Sequence, residues 1–264
     1  MKVIILTNED SITGRSLISK CIKNNIEIEE VILIKQNYKY FLKLFSFVRK
    51  RVGLFQAITF ASIKLISDFI HEKFFVDLDR LSKIIKYNKI NFKIFSNSNN
   101  WQNEVSEYID LKESKIILIG QIGILSNDFR LNRNDRLFIN CHPGKLPEFR
   151  GIDSFKWAFL EKRFDAFEST IHIVREKIDS GEKLHSKQYN IKKISWFMGD
   201  RELLIICGEH LADLIYSYCN DEEFSIRKLL KKGIINNKSK LRFKMGIIKE
   251  IKAFMNFIEF KKNL

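Results

Sequence analysis

The segment Leu137–Gly151 reads LFINCHPGKLPEFRG. It opens with an apolar run, which is the pattern of a buried strand that ends near Asn140. Ligands of open α/β sheets collect at the carboxyl ends of strands, so the following turn is placed for chemistry. If the extended geometry continues, Asn140 and His142 project to one side and Cys141 to the other. We therefore expect an amide donor and an imidazole in one pocket, and no Cys–His nucleophilic pair.

Working outward from this segment, the apolar runs and helical patterns predict an α/β protein. A strand at Val3–Leu6, a helix at Leu17–Lys23 and a strand at Val31–Ile34 form the opening of a parallel sheet. The other predicted strands are Phe92–Phe95, Ile116–Ile119, Ser169–Val174 and Lys183–Ile191, and the other predicted helices are Leu78–Tyr87, Glu104–Leu111, Arg201–Cys219, Glu222–Lys231 and Ile247–Phe260. We expect a Rossmann-like, mostly parallel sheet.

The domain organisation predicted from these elements has two parts. Residues 1–190 form a catalytic domain that carries a helical insertion at about 38–75. Residues 191–264 form a small, mainly helical C-terminal appendage. The chain has 264 residues, which is enough to bury a substantial core.

The positive charge of the chain is concentrated in two segments. The formal net charge is +14; Lys35–Arg51 carries six basic residues and no acid, and Arg227–Lys252 carries ten basic residues against Glu250 alone. Such a distribution indicates an anionic partner, which could be nucleic acid, a membrane surface or a phosphorylated small molecule.

Cysteine spacing and hydropathy indicate a cytoplasmic protein. The four cysteines form no C-x-x-C pair and no metal-ligand spacing, so we expect reduced thiols and no metal. The apolar stretch Val3–Leu6 is too short for a signal peptide, and no run approaches the length of a membrane span.

The segment Asn140–Gly151 resembles the N-x-H-P-x-x-L-P-x-x-x-G signature of the formyltransferase family that uses 10-formyltetrahydrofolate. Two further stretches resemble that family in the same order along the chain. Ile117–Leu125 is similar to the strand and glycine-led loop that lines the folate pocket. Ile178–Gly181 is similar to the D-x-G element that carries the catalytic aspartate.

The resemblance implies a role for each matched residue. Asn140 would hold the formyl oxygen as it becomes an oxyanion, and His142 would stabilise the tetrahedral intermediate or accept the proton of the amine. Asp179 would orient His142 and pass protons. A carboxylate beside an imidazole favours its charged form, so this chemistry is coherent. The folate-binding residues implied are Gly120, Gln121, Ile122, Gly123, Ile124, Leu125 and Ile178.

Pro143 and Pro147, the two prolines of the chain, both fall within this signature. The resemblance implies that the Leu146–Pro147 bond is cis, which usually marks a required turn. His172 lies on a predicted strand, and we interpret it as a hydrogen-bonded core or edge histidine.

The family resemblance leaves the amine acceptor open. Sugar-nucleotide formyltransferases are the most similar members in length and in the Arg150–Gly151 variant, which implies an acceptor such as dTDP-4-amino-4,6-dideoxyglucose, a role in O-antigen synthesis and a homodimer. Candidate substrate contacts are Arg150, Gly151, Lys192, Lys193, Trp196 and Phe197.

Three alternatives remain. A glycinamide-type enzyme would bind phosphate on the loop after the first strand, where Glu9 and Asp10 would repel it. A methionyl-tRNA formyltransferase-like enzyme suits the charge, but the residues after Asn190 are too few for its barrel domain. A basic nucleic-acid or membrane-surface binding protein without catalysis would leave the Asn140–Gly151 signature unexplained.

Overall fold

The computed structural model describes most of the chain. The described residues are 1–35, 45–46, 49–50, 53–54, 58, 81–98, 100–126, 129, 135–196, 199–221, 239 and 241–264. The predicted insertion at about 38–75 and the predicted helix Glu222–Lys231 lie almost wholly outside these ranges, as does Phe197.

One mixed sheet forms the centre of the described fold. Its strands are β1 Lys2–Asn8, β2 Glu27–Lys35, β3 Phe92–Ser96, β4 Ile116–Gly120, β5 Leu137–His142, β6 Glu168–Ile173 and β7 Lys183–Gln188. They lie in the order β3-β2-β1-β4-β5-β6-β7. The pairs from β3 to β5 are parallel, and β6 and β7 continue the sheet antiparallel. The prediction of a mostly parallel, Rossmann-like sheet is confirmed.

The helices occupy both faces of this sheet. Within the described residues they are α1 Ile12–Lys23, α2 Leu81–Tyr87, α3 Trp101–Asp110, α4 Ser154–Leu160, α5 Gly199–Cys219 and α6 Ile247–Lys262. Helix α1 begins five residues before the predicted start, because the Ser11 side chain caps it by accepting from the Gly14 N–H at 2.8 Å. Hydrophobic periodicity alone does not show such a cap.

The side chains of β1 point alternately into two separate apolar cores. Val3 and Ile5 pack with α1, α2 and α5 on one face of the sheet. Ile4 and Leu6 pack with α3 on the other face. Helix α5 therefore belongs to the core of the sheet, although it follows the predicted domain boundary.

A third, aromatic core joins α4 to α6. Phe159 contacts Phe257 with ring centroids 5.1 Å apart, and Phe155 contacts Trp196 at 5.8 Å. The helical C-terminal region predicted from the sequence is present, and α6 packs directly on α4. Within the described ranges, no helix is long and apolar enough to cross a membrane.

A chain of hydrogen bonds connects β6, β7 and α5. The Ser169 hydroxyl donates to the Lys187 carbonyl at 3.4 Å, so His210 Nδ1–H donates to Ser169 Oγ at 2.6 Å. His210 Nε2 then accepts from Nδ1–H of the exposed His185 at 2.7 Å. Burial, followed by the proximity of His185 and Lys187, lowers the pKa of His210 to about 4.

This lowered pKa predicts a loss of stability in acid. The unfolded chain binds a proton at His210 near the ordinary pKa of 6.5, whereas the folded chain does so only near 4. The free energy of unfolding should therefore fall between these pH values, by on the order of 1–2 kcal/mol after allowance for solvent screening. Urea unfolding of the wild type and of His210→Gln at pH 7.5 and pH 4.5 measures this. The variant should lose less stability, and equal losses would contradict the assignment.

Candidate active site

Strand β5 and strand β6 bring four polar side chains to the carboxyl end of β5. Asn140 lies opposite His172 in the antiparallel register, and His142 lies opposite Thr170. Cys141 points to the opposite face, where it is buried in the α1 and α5 core, and burial raises the pKa of its thiol well above the ordinary range. The predicted separation of Cys141 from the Asn140–His142 pair is therefore confirmed.

Asp179 lies between the two histidines. Its Oδ2 is 3.5 Å from His142 Nδ1, and its Oδ1 is 3.6 Å from His172 Nε2. Oδ2 also accepts the Gly151 N–H at 2.9 Å. Asp179 has a φ of 49°, a left-handed conformation that Asp tolerates in turns. The structure thus brings Asn140, His142 and Asp179 together, as the family resemblance implied.

The contacts of His142 select one form of its imidazole. Nε2 lies 2.7 Å from the Phe149 carbonyl oxygen and 3.1 Å from Ser154 Oγ. A carbonyl oxygen only accepts, so Nε2 carries a hydrogen, and Nδ1 is the nitrogen that faces Asp179. Proton exchange at this ring is therefore directed toward Nδ1.

His172 is neutral and serves as a hydrogen-bond acceptor. Burial lowers its pKa, and Asp179 opposes this shift. Its Nδ1–H donates to the Ile173 carbonyl at 3.0 Å, so the lone pair of Nε2 accepts from Asn140 Nδ2 at 3.2 Å. This contact leaves the second N–H of the Asn140 amide for another acceptor.

The turn after His142 is held by Thr170. Its hydroxyl donates to the Gly144 carbonyl at 2.8 Å and accepts the Leu146 N–H at 3.3 Å. The Leu146–Pro147 bond is cis, which confirms the prediction.

The loop predicted to bind folate follows β4, whose residue Ile119 lies beside Asn140 in the sheet register. Ile122 and Leu125 are buried beneath the loop, whereas Gly123 and Ile124 face outward, Ile124 being 65% exposed. Gln121 and Gly123 have φ values of 63° and 82°, so two residues of the loop have positive φ. The Gln102 side chain fixes this shape by donating to the Ile124 carbonyl at 3.2 Å and accepting the Ser126 N–H at 2.6 Å.

The guanidinium of Arg150 donates hydrogen bonds to main-chain carbonyls. Arg150 is buried, and its guanidinium donates to the Ile178 carbonyl at 2.9 and 2.6 Å and to the Ser239 carbonyl at 3.3 Å. These contacts place Ile178 next to the 148–151 turn. Contact of Arg150 with a pyrophosphate stays a prediction.

The other predicted substrate contacts lie after β7. Lys192 and Lys193 are exposed on the short 3₁₀ helix Ile191–Lys193. The ring of Trp196 packs in the aromatic core, 5.8 Å from Phe155 and 5.5 Å from Phe257. Its predicted stacking on a base stays a prediction, and Phe197 lies outside the described residues.

Two residues of the site, Thr170 and Ser154, were not singled out from the sequence, and His172 was interpreted there as a hydrogen-bonded core or edge histidine without a role in the site. The alternation of Thr170 and His172 along one strand was visible, but strand pairing is needed to place them opposite His142 and Asn140. Ser154 carries no motif. Among the described side chains, no group of three or more His, Cys, Asp or Glu is arranged to hold a metal ion.

The chain is similar to known proteins in sequence and in fold. The family model described as formyl transferase matches residues 1–195. The phosphoribosylglycinamide formyltransferase of Haemophilus influenzae is 29% identical over 90 residues, which cover 34% of this chain and 42% of that protein. The match thus spans less than half the length of this curated relative.

Solved structures share the fold. Glycinamide ribonucleotide transformylase 1 from Symbiobacterium toebii superposes with a TM-score of 0.54 at 12% identity, covering 83% of this chain and 88% of that one. A formyltetrahydrofolate deformylase from Pseudomonas syringae pv. tomato gives a TM-score of 0.53 at 13% identity, covering 85% and 63%. At these identities the similarity establishes the fold.

Gly151 provides a test of the turn that holds Asp179. It has a φ of 101°, and a Cβ would lie 2.0 Å from the Arg242 carbonyl oxygen. We expect Gly151→Ala to lower the free energy of unfolding by about 2–4 kcal/mol, through steric overlap and left-handed strain together. Chemical denaturation measures the change.

Gly53 is the matched control, because its φ is 93° and a Cβ added there would meet no heavy atom of the described residues within 4 Å. Gly53→Ala should cost only about 1 kcal/mol, from strain alone. Equal losses in the two variants would show that the Arg242 contact does not restrict position 151.

Proposed function

The chain belongs to the formyl transferase family, and on that premise we propose that it transfers a formyl group from N10-formyltetrahydrofolate to the amino group of a nucleotide-linked amino sugar. The observation that carries formyl transfer is the position of Asp179 between His142 and His172, with Asn140 beside them. These groups supply a hydrogen-bond donor and a proton acceptor within one site.

The side-chain amide of Asn140 donates a hydrogen bond to the formyl oxygen. One of its N–H groups is committed to His172 at 3.2 Å, which fixes the orientation of the amide. The second N–H is then held in place for an oxygen that gains negative charge as the amine adds. Donors that are already oriented stabilise such charge without a cost of reorganisation.

His142 and Asp179 accept and pass on the proton of the amine. Nε2–H is held by the Phe149 carbonyl, so a proton is gained or lost at Nδ1, 3.5 Å from the Asp179 carboxylate. The proton that the amine loses is passed on to N10 of the departing tetrahydrofolate. The Gly151 N–H, by donating to the same carboxylate, keeps Asp179 directed at the ring.

The loop after β4 suits the flat ring of a folate. The donor supplies the formyl group on its N10 atom, and this chain supplies an apolar side chain at Ile124 and outward main-chain groups at Gly123. Gln102 keeps the loop in one shape before any ligand binds. A preformed surface reduces the entropy lost on binding.

A nucleoside diphosphate sugar is the acceptor that these residues favour. Lys192 and Lys193 offer exposed positive charge, and the net charge of +14 attracts an anionic substrate. We propose dTDP-4-amino-4,6-dideoxyglucose as the specific acceptor and surface polysaccharide synthesis as the use of its product.

Phosphoribosylglycinamide is the second candidate acceptor, because a curated relative carries that name. The loop before α1 opposes this candidate. Glu9 and Asp10 stand there in place of residues that would attract a phosphate, and the Ser11 hydroxyl is already engaged with the Gly120 carbonyl at 2.5 Å.

An acceptor panel tests the proposal. The protein is mixed with 10-formyltetrahydrofolate and, separately, with dTDP-amino sugars, UDP-amino sugars, phosphoribosylglycinamide and aminoacylated initiator tRNA. Mass spectrometry should show the gain of one formyl group on a sugar nucleotide. Formylation of phosphoribosylglycinamide alone would replace the proposed acceptor, and no formylation of any amine would refute formyl transfer.

Substitutions in the site should lower turnover without unfolding the protein. We expect Asn140→Ala to lower kcat by about 10²–10³ and His142→Ala or Asp179→Asn by about 10²–10⁴, as for lost oxyanion and acid–base groups. Asp135→Asn is the control, since Asp135 is an exposed carboxylate near the start of β5, paired with Lys115. Steady-state rates of His142→Ala or Asp179→Asn close to those of Asp135→Asn would show that the site is misassigned.

A further inference from the structure

The segment before α6 pairs with the turn that carries Gly151. The Arg242 N–H donates to the Arg150 carbonyl at 2.9 Å, and the Ile152 N–H donates to the Arg242 carbonyl at 3.2 Å. These two bonds form a parallel β-bridge between Gly151 and Arg242. The main chain of the turn is therefore fixed from outside the sheet.

The Arg242 side chain holds the same turn from a second direction. Its guanidinium donates to the Glu148 carbonyl and stacks on the Phe149 ring, 4.0 Å from the ring centroid. Glu161 is the residue that follows α4. The Nη2 atom of Arg242 also donates to both of its carboxylate oxygens, at 3.0 and 2.8 Å. Planar stacking with several directed donors is what a guanidinium offers and an ammonium does not.

The residues held by Arg242 include or adjoin those that contact the site. The Phe149 carbonyl accepts from His142 Nε2, and the Gly151 N–H donates to Asp179. Arg242 holds Glu148 and Arg150 through their carbonyls, and it holds the Phe149 ring. Movement of the turn would therefore disturb both the tautomer of His142 and the position of Asp179.

We propose that Arg242 is a positioning residue that aligns His142 and Asp179 through the 148–152 turn. It lies beyond residues 1–195, the part of the chain that the family model matches. The C-terminal region of this chain thus completes a site whose reacting groups lie in the matched region. The kinetic consequence rests on the proposed function, whereas the geometric one does not.

The first test needs no substrate. Nitrogen-15 NMR of the histidine rings in the full chain reports which nitrogen of His142 carries hydrogen. The wild type should show the Nε2–H form, and Arg242→Ala should show a mixture of forms or a changed shift. Lys162→Gln is the matched control, because Lys162 joins the end of α4 to α6 through Glu259 at 2.9 Å without contacting the turn. An unchanged His142 signal in folded Arg242→Ala would overturn the proposal.

The second test is kinetic and uses the acceptor that the panel identifies. Arg242→Ala should lower kcat by about 10–100-fold, as expected for misplaced reacting groups, while the KM for the folate changes by less than about threefold. Added guanidinium ion should restore part of the rate of Arg242→Ala, and it should leave Lys162→Gln unchanged. A kcat within about threefold of the wild type would overturn the proposal.

Two milder variants keep the test decisive if Arg242→Ala does not fold. Arg242→Lys retains the charge and loses the planar fork, and Glu161→Gln weakens the ion pair and leaves the main-chain bridge. Both should move the NMR signal of His142 away from its wild-type position, and wild-type values in both would overturn the proposal. Because this shift is measured without any acceptor, an error in the proposed function would leave it intact.

Discussion

The site depends on the contacts of the Asp179 carboxylate with His142, His172 and the Gly151 N–H. Asp179 is largely removed from water, and its carboxylate accepts the Gly151 N–H at 2.9 Å while the imidazoles of His142 and His172 lie 3.5 and 3.6 Å away on either side. These neighbours come from different parts of the chain: His142 from β5, His172 from β6 and the N–H from the Gly151 turn. One carboxylate therefore meets three separate segments.

Strand β5 separates two environments at adjacent residues. Asn140 and His142 face the polar site, whereas the thiol of Cys141 lies between them in sequence and is buried on the opposite face. The pleat of a strand is sufficient for this separation, so neighbours in sequence differ completely in chemistry. The sheet face closed by α1 and α5 supports the strand, while its other face presents Asn140 and His142.

The sheet and the shared side of Asn140 and His142 could be predicted from the sequence because both are local patterns, whereas Asp179 was placed with them only through the family resemblance. Apolar runs located β1, β4 and β5, and the spacing of Asn140 and His142 within one strand placed their side chains together. His172 and Arg242 could not be found this way, because their roles depend on pairing across 32 and 91 residues of chain. Trp157 shows the same limit: its indole N–H donates to the Phe243 carbonyl at 2.9 Å, 86 residues away. Periodicity describes which side a residue faces, and it carries no information on which distant segment will lie there.

The bridge between Gly151 and Arg242 also orders events during synthesis of the chain. Translation proceeds from the N-terminus, so every strand of the sheet leaves the ribosome before residue 242 does. A nascent chain can therefore build the sheet and bring Asn140 near His142 while the Gly151 turn still lacks its outer support. The Gly151 turn gains this support late in translation, when Arg242 emerges and pairs with a turn made about ninety residues earlier.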